Sequence, residues 1–198
     1  MTHYQVRCDE IRAAVAAHNS SASKSVVLLG DSITEANPLT ELHGLPVINQ
    51  GISGDQVDSN DPYVGVRRRI NFVADAHPTH VYLLIGINDI GHLDRTVQHI
   101  VDLFKGMLQA LMTAVPEALV TVQTVLPTSE DRVHLNARVR EFNTAIKSIA
   151  ATAGCPVLDL HELFLNDIGE LRAEFTHDGV HLTPAGYQHW IAALKNGQ

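Results

Sequence analysis

Near the end of the chain, His177-Asp178-Gly179-Val180-His181 places a carboxylate three positions before an imidazole. Within one turn, that spacing lets Asp178 reach the Nδ1–H of His181. The contact would fix the tautomer and stabilise the imidazolium formed when Nε2 takes a proton. A base of this kind needs a nucleophile, and Gly30-Asp31-Ser32-Ile33-Thr34 offers a serine just beyond the apolar run Val26-Val27-Leu28-Leu29. A helix starting there would turn its positive end toward developing negative charge. Taken alone, Gly-Asp-Ser is three common turn residues, and Asp31 or Ser32 could simply cap the next helix. Two further segments carry donors. Asn49-Gln50-Gly51-Ile52-Ser53-Gly54-Asp55 has glycines close enough for backbone to approach a ligand or to bend, without the GxGxxG spacing of a dinucleotide loop. Gly86-Ile87-Asn88-Asp89 sets an amide beyond a third apolar run, where it could meet an oxyanion or merely form a turn. His177 and His181 also have the i, i+4 spacing of metal ligands. Gly179 between them argues against a helix, HExxH is absent and no third ligand suggests itself, so no metal is expected.

These segments need elements to hold them. Short aliphatic runs at Val26–Leu29, Val47-Ile48, Val81–Ile85, Val120–Val125 and Pro156–Leu158 predict strands. Several are continuously apolar rather than alternating, as in parallel sheets covered on both faces. Between them, Val97, Ile100, Phe104, Leu108, Leu111 and Val115 recur at helical spacing, as do Val139, Phe142, Ile146, Ile149 and Ala153. Ile11, Val15 and His18 suggest a helix before the first strand, and Thr183 can cap a last helix that opens with Pro184. Strand and helix in alternation predict a doubly wound α/β sandwich, whose ligands bind beyond the carboxyl ends of the strands.

The 198 residues are 45% apolar and 18% charged, with no repeat or linker, so residues 1–198 are expected to form a single domain. A formal net charge of −8 disfavours nucleic acid and anionic membrane as partners. Arg67-Arg68-Arg69, the only basic run, is expected to be a solvated helical stripe. Cys8 and Cys155 are too few and too far apart for a disulfide framework and are expected as buried thiols. No apolar run is long enough to span a bilayer. The start, Met1-Thr2-His3-Tyr4-Gln5, shows no export signal, which makes cytoplasmic residence the expectation.

Gly30-Asp31-Ser32, Gly54 in its loop, Gly86-Ile87-Asn88-Asp89 and Asp178-Gly179-Val180-His181 together resemble, in order and across nearly the whole chain, the four blocks of the SGNH (GDSL-type) hydrolases. Ile33 stands where the name motif has leucine. The resemblance implies a flavodoxin-like α/β/α sandwich with five parallel strands. It also implies Ser32 as nucleophile, His181 as base, Asp178 as its orienting acid, and an oxyanion hole from the Ser32 amide, the Gly54 amide and the Asn88 side chain. The expected reaction is ester hydrolysis through an acyl-enzyme, with no cofactor and a small-molecule ester as partner.

Three other readings compete. An α/β-hydrolase elbow, GxSxG, fails at Thr34. A non-catalytic binding protein on this fold would be expected to have lost a block. An acyltransferase, thioesterase or lysophospholipase would use the same triad. The segments Glu35–Leu45, Gln56–Tyr63, Pro127–His134 and Leu165–Thr176 are expected to form the pocket. Their scarcity of large apolar side chains points to short acyl groups, such as acetyl on a sugar or small alcohol.

Overall fold

A computed structural model describes residues 1–20, 24–61 and 63–197. Its strands are β1 (Ser25–Gly30), β2 (Glu41–Leu42), β3 (Leu45–Gly51), β4 (Pro78–Leu84), β5 (Leu119–Gln123) and β6 (Val157–Leu158). They form one sheet in the order β2-β3-β1-β4-β5-β6. Five of them run parallel, as expected from the sequence, while β2 joins β3 antiparallel at the edge. Every residue of β1 is buried. Because successive side chains point to opposite faces, a wholly buried strand requires cover on both sides of the sheet.

The helices supply that cover. They are α1 (His3–Asn19), α2 (Ser32–Glu35), α3 (Ile70–Asp75), α4 (Ile87–Gly91), α5 (Val97–Ala114), α6 (Asn136–Ala153), α7 (Leu160–Phe164) and α8 (Pro184–Asn196). Val97, Ile100, Phe104, Leu108 and Leu111 on α5 and Val139, Phe142 and Ile146 on α6 are buried as their spacing implied, whereas Ile149 and Ala153 are half-buried and Ala150 is the buried residue there. Phe104 meets Phe142 edge-on with ring centroids 5.7 Å apart. Cys8 and Cys155 are both buried free thiols. No helix among the described residues is long and apolar enough to cross a membrane.

Sheet order explains why remote loops meet. β1 lies between β3 and β4, so the chain leaves β1 to one side and returns to pair on the other. The carboxyl ends of these three neighbours surround one crevice, the place where doubly wound sheets bind ligands. Ser32, Gly54 and Asn88 follow those three strands.

The basic run departs from expectation. Val66–Arg69 is a 3₁₀ turn leading into α3, and Arg69 is only 1% exposed. Its guanidinium is held by Asp55 through Nε at 2.8 Å and Nη2 at 2.7 Å. It also donates to Gln50 O at 2.5 Å and to Gly30 O at 2.8 Å. A charge so buried is tolerated because each edge of the planar fork finds an acceptor. The supposed solvated stripe therefore includes a cation that fastens the end of β1, the end of β3 and the loop after β3.

Candidate active site

Asp31 ends the first βα turn. Its carboxylate accepts from Ile33 N–H at 3.1 Å, capping α2 and making Ser32 the first residue of that helix. Gly30 is required here, since a Cβ would fall 2.2 Å from Leu84 O. Complete burial pushes the Asp31 carboxyl up to about 7.

The serine and histidine segments, 149 residues apart, meet directly. Ser32 Oγ lies 3.0 Å from His181 Nε2, and His181 Nδ1 lies 2.6 Å from Asp178 Oδ2. With its Nδ1–H donated to the carboxylate, the ring presents Nε2 as acceptor to the serine hydroxyl. Asp178 is itself fixed, Oδ1 accepting from His181 N–H at 2.7 Å and Val180 N–H at 3.0 Å. Partial burial raises this carboxyl, but the His181 ring and the two amides outweigh it and bring it down to about 2. Gly179, at φ +79°, closes the turn against the 129–130 segment, and a Cβ there would sit 2.3 Å from Ser129 O. Ser129 N–H donates to Gly179 O at 3.0 Å.

Helix α8 sets the position of that turn. Thr183 caps it by accepting from Gly186 N–H at 3.2 Å, with Pro184 in its first turn. Trp190 Nε1–H donates to Gln123 of β5 at 2.7 Å, and Tyr187 O–H donates to Ile33 O of α2 at 3.1 Å. One helix is thus bonded both to the sheet and to the turn that carries Ser32.

The remaining predicted residues gather at the same edge. Gly54 has φ +79° and open space beside its Cα. Neither its N–H nor that of Ser32 has a hydrogen-bond partner among the described residues. Asn88 donates one Nδ2 hydrogen to Asp55 O at 2.8 Å, leaving the second unspent. A cleft of about 250 Å³ is lined by Ser32, Asn88, Asp178 and His181 together with Ile87, Leu135 and Arg132 among others. Gly54 lies outside that lining. Of the four segments expected to build the pocket, only 127–134 contributes among the described residues, through Arg132. The 38–43 stretch instead faces α8, lining a separate groove with Gln188, Ile191 and Lys195.

Several supporting residues were not visible in the sequence pattern. Glu35 accepts from Ser53 N–H at 2.5 Å and Ser53 Oγ at 2.7 Å, joining α2 to the Gly54 loop. Burial raises the Glu35 carboxyl, yet the bonds from Ser53 and His3 dominate and lower it. Asn49 Nδ2 donates to Thr34 O at 2.7 Å. Asp89 is fully buried, accepts from Val57 N–H at 2.9 Å and is pushed up to about 7 by burial. Asp55 and Asp89 each follow a residue singled out for its donor, a weak signal available beforehand. Asp178, between His177 and His181, is a third metal-capable group that their spacing alone did not suggest.

The arrangement can generate an alkoxide beside an imidazole and offer N–H groups to an oxyanion. Comparisons with known proteins agree with a chemistry of that type. The profile of the GDSL-like lipase/acylhydrolase family matches residues 28–189. Human platelet-activating factor acetylhydrolase IB subunit alpha1 is 26% identical over 188 residues, covering 91% of this chain and 78% of that protein. A GDSL-like lipase from Bacteroides thetaiotaomicron superposes with a TM-score of 0.74 at 20% identity, covering 94% of this chain and 96% of the other. An acetyl xylan esterase superposes with a TM-score of 0.71 at 21% identity, covering 87% and 98% respectively. At such identities the two structures speak for the fold alone.

Proposed function

The chain belongs to the GDSL-like lipase/acylhydrolase family, and from that premise we propose that it is a serine esterase hydrolysing short-chain carboxylic esters through an acyl-enzyme. The observation that carries this reading is the unbroken line from Asp178 Oδ2 through His181 to Ser32 Oγ, with contacts of 2.6 and 3.0 Å.

In this reading His181 Nε2 takes the Ser32 proton as Oγ attacks the ester carbonyl, and Asp178 steadies the imidazolium. The Ser32 amide, the Gly54 amide and the second Asn88 hydrogen meet the oxyanion. Collapse of the tetrahedral intermediate releases the alcohol with a proton from Nε2 and leaves the acyl group on Oγ. Water, deprotonated by the same nitrogen, attacks that acyl carbon, and the acid departs as Ser32 recovers its proton.

A cleft of about 250 Å³ supports a small acyl group such as acetyl. Two of the similar proteins carry acetyl esters in their names, platelet-activating factor acetylhydrolase and acetyl xylan esterase. An ester of a carbohydrate or small alcohol is the substrate class proposed. The test is a 4-nitrophenyl ester series from acetate to decanoate, run with wild type and Ser32→Ala. Acetate should give the highest kcat/KM, and the variant should show none above background. A preference for decanoate would overturn the short-chain assignment, and turnover by Ser32→Ala would overturn the nucleophile.

A further inference from the structure

We propose that the turn carrying the base is also a zinc site, formed by His177 Nε2, Asp178 Oδ2 and His181 Nδ1, and that zinc there switches the serine off. The effect on turnover rests on the esterase reading; the binding does not.

His177 is the ligand for which the hydrolytic steps have no use. Its side chain is 61% exposed, its ring stacks near that of His181 at 6.2 Å between centroids, and its Nε2 lies 4.0 Å from Asp178 Oδ2. One ligand atom from each of the three residues falls within 4.8 Å of the other two. Two imidazole nitrogens and one carboxylate oxygen suit Zn²⁺, with water in the fourth position. Tetrahedral ligands at zinc's usual bond lengths stand roughly 3.3 Å apart. Asp178 Oδ2 must therefore draw back from its 2.6 Å contact with Nδ1, while His177 closes in from 4.0 Å. Both shifts are small. Oδ1 can stay anchored on the Val180 and His181 amides while Oδ2 pivots, and an exposed His177 side chain can follow.

The consequence is a matter of proton placement. Without metal, the neutral imidazole carries its proton on Nδ1, and the Nε2 lone pair faces Ser32. Zinc takes the Nδ1 lone pair, so the ring proton must reside on Nε2. No net proton is gained or lost, but Nε2 becomes a donor and cannot accept the Ser32 proton. Asp178, now a ligand, no longer steadies an imidazolium. Zinc thus acts as a reversible inhibitor rather than a cofactor.

Calorimetric titration of Zn²⁺ into wild type, Ser32→Ala and His177→Ala tests the site, alongside 4-nitrophenyl acetate turnover at buffered zinc concentrations. Wild type and Ser32→Ala should each bind one zinc, and His177→Ala should bind at least tenfold more weakly. Wild-type turnover should fall in step with occupancy and return on chelation. His177→Ala should keep wild-type turnover without metal and need at least tenfold more zinc for half inhibition. Equal binding by wild type and His177→Ala, no stoichiometric binding, or full turnover by the zinc-loaded enzyme would each overturn the proposal. A chain that hydrolyses no ester would sink the esterase reading, while the calorimetry would still decide the metal site.

Discussion

At the scale of single residues, the proposed oxyanion hole is made of polar hydrogens with no other partner among the described residues. Asn88 commits one Nδ2 hydrogen to Asp55 O and keeps the other available, so its contribution should appear mainly once charge develops on the substrate oxygen. If Asn88 meets the oxyanion as proposed, Asn88→Ala should lower kcat by about 10²–10³-fold with little change in KM. Steady-state kinetics on 4-nitrophenyl acetate would check this, and an unchanged kcat would remove Asn88 from the reaction. Asp178 illustrates how far residue chemistry follows from spacing. Three positions in a turn that bends at Gly179 suffice to bring its carboxylate to both the ring and the backbone N–H of His181.

At the scale of elements, the catalytic geometry proposed here depends on fastenings between segments. Arg69 is the clearest, a buried guanidinium joining Asp55 with the carbonyls of Gln50 and Gly30. Arg69→Met would leave Asp55 buried without its counter-charge, and breaking such a pair costs about 3–5 kcal/mol. Chemical denaturation should show a loss of that size, whereas a loss under 1 kcal/mol would mean that water replaces the guanidinium. Much of this level was legible beforehand. The apolar runs marked all five parallel strands, and Thr183-Pro184 marked the start of α8 to the residue. Arg69 was not legible, because a basic triplet says nothing about which member turns inward. The edge strand β2 was missed for a different reason: two residues, Glu41 and Leu42, carry no periodicity. The pocket segments were misjudged because loop position along the chain does not reveal which side of the sheet edge a loop covers. Stretch 38–43 packs toward α8 instead of the cleft.

At the scale of the whole molecule, a sheet that switches direction at β1 gathers three loops, and α8 brings the fourth. Burying that junction leaves Asp31 with a carboxyl raised to about 7. An acid raised on folding holds its proton in the native state where the unfolded chain has released it. Its contribution to stability therefore falls as pH rises from about 4 to about 7. Asp89, raised to about 7 as well, adds a slope of the same sign, while buried His161, lowered by desolvation, works in the opposite direction, so the wild-type curve alone mixes several groups. The difference between wild type and Asp31→Asn isolates the carboxyl. Any stability deficit of the variant at pH 5 should shrink or reverse by pH 8, and a deficit that grows with pH would contradict a raised Asp31. Whether segments 149 residues apart join to make a nucleophile of one serine is decided by fluorophosphonate labelling followed by peptide mapping. A single covalent adduct on Ser32, lost in His181→Ala, is the expected result. An adduct on another residue, or none from folded protein, would contradict it.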